Sequence, residues 1–289
     1  MPSPANPARH HVILRAMPKF CANLSMLFTE SAFPERFDAA ARVGFRGVEF
    51  QFPYGFDKSL LAESAQRAGV EVVLFNLPPG DWEKGERGMA CLPSRMSEFR
   101  DSVGRAIEYA SALGCRKLNM LSGVVAESMR KLPPERLRET FVSNLRYAAS
   151  ELGRHGMMLV LEPISTRAIP GFYLQHTAQA LALIDEAATS NAFVQYDMFH
   201  MQVMEGDLAQ TIETNLPRIG HMQFADNPGR HEPGTGEINY GFLFGHIDRL
   251  GYEGWIGAEY TPSGDTAASL AWLQPWLDKQ PPLTSVAVP

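Results

Sequence analysis

Short apolar runs alternate with longer amphipathic segments along nearly the whole chain. The runs are rich in β-branched and aromatic residues and predict eight strands, at Phe20–Leu24, Gly47–Phe52, Val70–Asn76, Lys117–Leu121, Met158–Ile164, Phe193–Met198, Gly220–Phe224 and Gly254–Tyr260. The longer segments have apolar positions at helical spacing and predict helices at Pro34–Val43, Ser59–Ala68, Arg95–Leu113, Pro134–Arg154, Thr177–Ala188, Leu208–Asn215, Tyr240–Leu250 and about Thr266–Leu277. Gly44 and Gly251 each follow a predicted helix, as glycines commonly do at helix ends.

This alternation predicts an α/β protein with a parallel sheet, most economically a single (β/α)8 TIM barrel. An open doubly wound sheet is the alternative, but it usually has a glycine-rich phosphate turn after its first strand, where this chain has NLSM (23–26). We expect one catalytic domain over residues 18–280. Residues 1–17, rich in Pro, Ala and His, are expected to be a poorly ordered extension, and residues 281–289 a C-terminal tail.

Composition narrows the classes of function. Hydrophobic residues make up 45% of the chain and charged residues 20%, so a large core is possible and wholesale disorder is excluded. A net charge of −6 without a Lys/Arg run argues against nucleic acid or an anionic membrane as a partner, and no apolar run is long enough to span a bilayer. The three widely spaced cysteines indicate reduced thiols in a cytoplasmic protein.

Four oxygen-bearing side chains fall late on four consecutive predicted strands, on the face that alternation assigns to the barrel interior: Glu162, Asp197, Gln223 and Glu259. Chemistry in such barrels takes place at the carboxyl ends of the strands. A single glutamate there is usually part of a structural ion pair, but several buried carboxylates together are costly unless a cation compensates them. Three carboxylates and an amide oxygen predict a site for one divalent cation, Mg²⁺ or Mn²⁺.

Further polar residues near the same end are candidates for binding a small substrate: His200, Arg230, Glu49, Asn76, Glu86 and Arg87. Arg230 lies in a polar loop after the seventh strand and could hold a carboxylate, whereas Arg87 lies in a similar loop after the third strand. Either arginine could instead be a plain surface charge, and His200 a surface-loop histidine. His221 lies deeper on its strand, and we interpret it as a hydrogen-bonded core histidine.

The motifs around these residues resemble the hydroxypyruvate isomerase family within the xylose-isomerase-like barrel superfamily, from about Lys19 to Leu273. They are FCANLSM (20–26), GFRGVEF (44–50), PGDW (79–82), GERG (85–88), LEPI (161–164), QYD (195–197), FHMQ (199–202), EPGTGEINY (232–240) and GWIG (254–257). The resemblance implies a metal held by Glu162, Asp197, Gln223 and Glu259. It further implies that Glu162 and Glu259 move protons through an enediolate as hydroxypyruvate and tartronate semialdehyde interconvert.

Several alternatives stay open within this superfamily. The 2-oxotetronate isomerases have very similar motifs, although EPI (162–164) and IPGF (169–172) look more like hydroxypyruvate isomerase. Ketose 3-epimerases resemble this pattern with a histidine as third ligand where this chain has Gln223. A sugar-acid dehydratase on the same barrel is a minor alternative, and an abasic-site endonuclease would need a histidine-rich zinc cluster and a basic groove. A homo-oligomer is expected by analogy with other barrels.

Overall fold

Eight parallel strands form a closed barrel in the computed structural model, which describes residues 18–277. They are β1 (Lys19–Asn23), β2 (Gly47–Phe50), β3 (Glu71–Asn76), β4 (Lys117–Asn119), β5 (Met158–Leu161), β6 (Ala192–Asp197), β7 (Ile219–Phe224) and β8 (Trp255–Ala258). Each strand pairs with its neighbour in sequence, and β8 pairs with β1 to close the ring. The predicted (β/α)8 barrel is therefore confirmed. The predicted extension at 1–17, the tail at 281–289 and residues 278–280 lie outside the described residues.

Helices surround the barrel: α1 (Arg36–Arg42), α2 (Lys58–Ala68), α3 (Met96–Leu113), α4 (Pro134–Arg154), α5 (Thr177–Ala187), α6 (Met198–Met204), α7 (Leu208–Asn215), α8 (Tyr240–Arg249), α9 (Thr266–Ser269) and α10 (Gln274–Leu277). The prediction of one last helix over Thr266–Leu277 is wrong, because a 3₁₀ turn at Ala271–Leu273 separates α9 from α10. Pro275 has no N–H to continue the helical ladder there. None of the helices between residues 18 and 277 is both long and apolar enough to cross a membrane.

Two apolar layers hold the barrel together. The larger one lies between the strands and the helices, and the smaller one fills the lower part of the barrel interior with Cys21, Val73, Leu74 and Val160, flanked by Met158, Phe193 and Trp255. Met158 and Trp255 begin their strands, so this plug lies at the amino end of the barrel. Above it the interior becomes polar, and that polar layer is the floor of the site.

Gly257 shows how tightly the polar layer is filled. It pairs with Cys21 of β1 and Gln223 of β7. A Cβ atom built on Gly257 would lie 2.4 Å from both carboxylate oxygens of Glu49. Only glycine fits at this point of β8, because the Glu49 side chain crosses the barrel axis beside it.

Candidate active site

Three carboxylates meet at the carboxyl end of the barrel. Asp197 is the last residue of β6, while Glu162 and Glu259 each follow the last residue of a strand, so these strands are shorter than predicted. The backbone N–H of Glu259 nevertheless donates to the carbonyl of Phe224 (3.1 Å), which extends the ladder by one bond and fixes the direction of the side chain. All three residues are at most 6% exposed.

Burial and mutual repulsion make these carboxyl groups poor at holding negative charge. Burial, and then the charges of Glu259 and Asp197, raise the pKa of Glu162 well above its usual range. Burial raises the pKa of Asp197 to about 6 and that of Glu259 to about 7, although Arg230 opposes both shifts. Asp197 Oδ2 is buried and has no hydrogen-bond partner among the described residues. A cation bound between these groups would satisfy that oxygen and offset the repulsion, so this donor set fits a hard divalent metal.

His200 belongs to the same cluster. Its Nε2 lies 3.8 Å from Glu162 Oε1 and 3.6 Å from Asp197 Oδ2, while Nδ1 shares a hydrogen bond with the hydroxyl of Ser165 (3.2 Å). Burial and the nearby Arg230 hold the pKa of His200 well below its ordinary value, so the ring is neutral at physiological pH. The alternative of a surface-loop histidine is wrong, because His200 is 2% exposed on α6, a helix that the sequence pattern did not predict.

Arg230 lies above the carboxylates, in the loop that follows β7. One of its terminal nitrogens donates to Glu259 Oε2 (2.7 Å) and lies 4.0 Å from Asp197 Oδ2. Its guanidinium carbon lies 5.1 Å from the centre of the Phe199 ring, a stacking arrangement that restricts the side chain. The guanidinium is therefore held over the mouth of the barrel beside two of the three acids.

Gln223 pairs with Asp197 in the strand register, but its side chain contacts the polar floor and not the acids. Its Nε2 donates to Glu49 Oε1 (2.7 Å), and its Oε1 accepts a hydrogen bond from Gln195. The oxygen that the sequence interpretation assigns to a metal is therefore turned toward Gln195.

Glu49, a predicted substrate contact, lies beneath the site and is fully buried. It accepts hydrogen bonds from Gln223, from Asn23 Nδ2 (3.0 Å) and from His221 Nε2 (2.7 Å). Burial alone would raise the pKa of Glu49, but these partners outweigh it and leave the pKa below its usual value. Glu49 is thus an ionised group in the floor, and His221 is the hydrogen-bonded core histidine that we predicted.

Asn76 is connected to the acids through Asn119. Its Oδ1 accepts from Asn119 Nδ2 (3.1 Å), and the same nitrogen donates to Glu162 Oε2 (2.8 Å). On the opposite side Asn23 Nδ2 donates to Glu259 Oε1 (3.1 Å). The sequence pattern did not identify Asn23 and Asn119, although each lies late on a strand. The missing information was the strand register, which pairs Asn23 with Glu49 and Asn119 with Asn76.

Glu86 and Arg87 do not reach the carboxylates. Glu86 accepts from two guanidinium nitrogens of Arg95 (2.7 and 3.2 Å) and from the backbone N–H of Asp81. Arg87 stacks 3.6 Å from the centre of the Trp82 ring and donates to the carbonyls of Trp82 and Glu86. The contacts of both residues serve to fold the loop after β3.

Comparison with known proteins places this arrangement among isomerases. A family model described as xylose isomerase-like TIM barrel matches residues 37–276. The chain is 50% identical to hydroxypyruvate isomerase of Escherichia coli K12 over 90% of its length and 100% of that protein, and 43% identical to 2-oxo-tetronate isomerase of Cupriavidus necator over 91% and 100%. A crystal structure from Brucella melitensis, described as a family 2 AP endonuclease, superposes with a TM-score of 0.87 at 46% identity, covering 90% of this chain and 99% of that one. This chain belongs to the xylose isomerase-like TIM barrel family.

Proposed function

We propose that this protein isomerises a small hydroxy-keto acid, with hydroxypyruvate as its substrate and tartronate semialdehyde as its product. The observation that carries the proposal is the pair Glu162 and Glu259, two buried acids with raised pKa values on β5 and β8, with Asp197 between them. Glu259, whose pKa is about 7, can both accept and return a proton at physiological pH, and the raised pKa of Glu162 favours its protonated form. The name of the Escherichia coli relative, at 50% identity, supports the choice of substrate.

The metal expected in this family would be held by Glu162, Asp197, Gln223 and Glu259, where Gln223 would use the oxygen that now accepts from Gln195. A divalent ion, Mg²⁺ or Mn²⁺, supplies Lewis acidity that makes a substrate carbonyl and the proton beside it easier to polarise. Asp197 Oδ2, which has no hydrogen-bond partner within residues 18–277, and the repulsion among the three acids support this choice of ligands.

The two glutamates carry the proton transfer. One of them, ionised, takes a proton from C3 of hydroxypyruvate, which leaves the enediolate of the substrate. The C3 hydroxyl gives its proton to the C2 oxygen, and the second glutamate, protonated, delivers a proton to C2. The product has the same mass as the substrate, and each glutamate is returned to its starting state by exchange with solvent. A positioned acid or base of this kind contributes about 10²–10⁴-fold to the rate.

Arg230 and His200 orient the substrate in this scheme. Arg230 places a guanidinium beside Glu259, where it can hold the substrate carboxylate through parallel hydrogen bonds. The neutral His200 ring is fixed by Ser165 and presents Nε2 toward Glu162 and Asp197, where it can exchange a hydrogen bond with a substrate hydroxyl. Three buried free cysteines support a reducing cytoplasmic setting for the enzyme.

Isomerisation of 2-oxotetronate is the second candidate, supported by the name of the Cupriavidus necator relative. The two substrates differ by one hydroxymethyl group, which changes discrimination only modestly without a dedicated hydrogen bond. The endonuclease description of the Brucella melitensis structure has less support in this chain. His200 is the one described histidine among the three acids, and the net charge is −6, whereas a DNA-binding groove should be basic.

The test is kcat/KM for hydroxypyruvate and for 2-oxotetronate, measured on metal-stripped enzyme and again after addition of Mg²⁺ or Mn²⁺. We expect hydroxypyruvate to be preferred and turnover to depend on the metal. A preference for the four-carbon acid would keep the mechanism and change the substrate. Loss of water from a sugar acid, with no isomerisation of either compound, would identify a dehydratase and contradict the proposal.

A further inference from the structure

Asp226 is a fully buried carboxylate that takes no part in the scheme above. It follows β7 by two positions, and both of its oxygens accept from backbone N–H groups of the next loop. Oδ1 accepts from Asn227 (3.0 Å) and Ile238 (3.0 Å), and Oδ2 accepts from Gly234 and Gly236 (both 2.9 Å). The loop 227–239 is therefore wrapped around one side chain.

The backbone of Asp226 holds the other half of the same loop. Its carbonyl accepts from the N–H of Arg230 (2.9 Å), and its own N–H donates to the carbonyl of His231 (2.8 Å). Arg230 adopts a left-handed backbone conformation with φ of 57°, which is unfavourable for a residue other than glycine. The carbonyl of Arg230 is fixed by the N–H of Thr261 (2.9 Å). Arg230 is thus held in a strained conformation by the backbone of Asp226 on one side and by Thr261 on the other, while the Asp226 side chain fixes the two ends of the loop that carries it.

We propose that Asp226 is a positioning residue that acts through Arg230, so that it determines how tightly the enzyme holds the substrate carboxylate. The inference rests on the proposed function in one respect, namely that Arg230 binds that carboxylate. Four N–H donors around one acid favour a single loop conformation, and a loop that is open by even 1 Å would carry the guanidinium away from the substrate and from Glu259.

The steric fit of the loop agrees with this role. A Cβ atom on Gly236 would lie 1.7 Å from the carbonyl oxygen of Asn227 and 2.8 Å from Asp226 Oδ1. The chain therefore passes so close to the backbone of Asn227, beside the carboxylate, that only glycine fits at the position that supplies this N–H. An asparagine in place of Asp226 has one oxygen for four donors, and its amide N–H₂ would face two of them.

A double-mutant cycle tests the inference. Asp226→Asn is made in the wild type and in Arg230→Ala, and the cycle is read on kcat/KM for hydroxypyruvate and on the Kd of glycerate, a carboxylate that cannot be isomerised. We expect Asp226→Asn to lower kcat/KM on the order of 10²-fold in the wild type. In the Arg230→Ala background it should change kcat/KM and Kd by no more than about twofold.

Two control variants distinguish a role of Asp226 in positioning Arg230 from a general loss of loop structure. Gly234→Ala leaves the Asp226 side chain in place but strains, at φ of 93°, the residue whose N–H donates to Oδ2, and it should show the same dependence on Arg230. Glu232→Gln loosens only the contacts of the same loop to the backbone and hydroxyl of Ser263, and it should leave kcat/KM within about twofold of wild type. Additive losses in Kd for both loop variants would overturn the inference. If the wild type binds glycerate but does not isomerise hydroxypyruvate, the proposed reaction is wrong. The double-mutant cycle on the Kd of glycerate would then still test the role of Asp226.

Discussion

At the scale of the residue, the two proton-transferring acids are held differently. Glu162 is supported by one neutral amide, that of Asn119. Glu259 receives hydrogen bonds from the amide of Asn23 and, at 3.4 Å, from that of Gln51, and it also contacts the charged guanidinium of Arg230. A cation at hydrogen-bonding distance stabilises the ionised form more than a neutral amide does. Glu259 is therefore the acid whose charge the protein stabilises more.

Glu259→Gln should remove proton transfer while leaving a carbonyl oxygen that can still bind a cation. We expect kcat for hydroxypyruvate to fall on the order of 10²–10⁴-fold and the Kd of glycerate to stay close to that of wild type. Steady-state kinetics and calorimetry measure the two quantities. Turnover at the wild-type rate in this variant would exclude Glu259 as a proton donor or acceptor.

Alternation along predicted strands was enough to place the carboxylates on the inner face of the barrel, because each lies two or four positions from an apolar residue of the same face. It could not show that Glu49 belongs to the floor, since its partners come from β1 and β7, far away in sequence. Nor could it identify Asp226, whose four partners are backbone groups that carry no signature in the sequence.

At the scale of the element, most strands and helices lie within a few residues of their predicted bounds because apolar periodicity is strong in both. The differences occur where side chains compete with the backbone. Asp197 ends β6 and accepts from the N–H of Phe199 (2.7 Å), which starts α6 where the sequence pattern suggested only the end of a strand. That capping bond turns His200 inward.

Two glycine-to-alanine substitutions should have opposite effects on stability. Gly257→Ala on β8 places a methyl group against the Glu49 carboxylate, which cannot move without losing its buried partners, so the free energy of unfolding should fall by roughly 3–5 kcal/mol. Gly104→Ala on α3 meets open space and should raise it by about 1 kcal/mol through helix propensity. Urea denaturation checks both values. If Gly257→Ala left the free energy of unfolding unchanged, the inference that the floor around Glu49 is rigid would be wrong.

At the scale of the whole molecule, the strands within residues 18–277 close into a barrel without an exposed edge, and the interior separates an apolar plug at the amino end from the charged groups at the carboxyl end. The apolar plug fixes the strands, so the repulsion among Glu162, Asp197 and Glu259 is not relieved by the barrel opening. Arg230 offsets part of this repulsion, and binding of protons or of a metal would relieve the rest. Stability, metal affinity and pH should therefore be linked.

We expect Mg²⁺ to raise the Tm of metal-stripped enzyme much more at pH 8 than at pH 5. The folded-state pKa values of Asp197 (about 6) and Glu259 (about 7) are raised, so at pH 5 both acids are protonated and Mg²⁺ must displace the protons. That competition should weaken apparent Mg²⁺ affinity at pH 5 on the order of 10³-fold relative to pH 8.

The difference in Tm with and without Mg²⁺ is the quantity to compare, because the absolute Tm contains an opposing contribution. The raised acid pKa values give stability that is lost as pH rises through 6 to 7. The lowered pKa values of His200 and His221 instead make stability rise as pH approaches 6.5. An equal Mg²⁺-induced shift at the two pH values would show that the three acids do not bind the ion.

The way in which the loop 227–239 closes on a single carboxylate makes it a transplantable unit. Its contacts to Asp226 begin and end within one short stretch of chain, whereas the proton-transferring acids are carried by the barrel strands. Substrate range could therefore change, in evolution or in the laboratory, by exchange of one contiguous segment of about a dozen residues. The exchange would succeed between barrels that keep an aspartate at the position of Asp226 and the loop's partners at Thr261 and Ser263, and the proton-transferring acids on the strands would be unchanged.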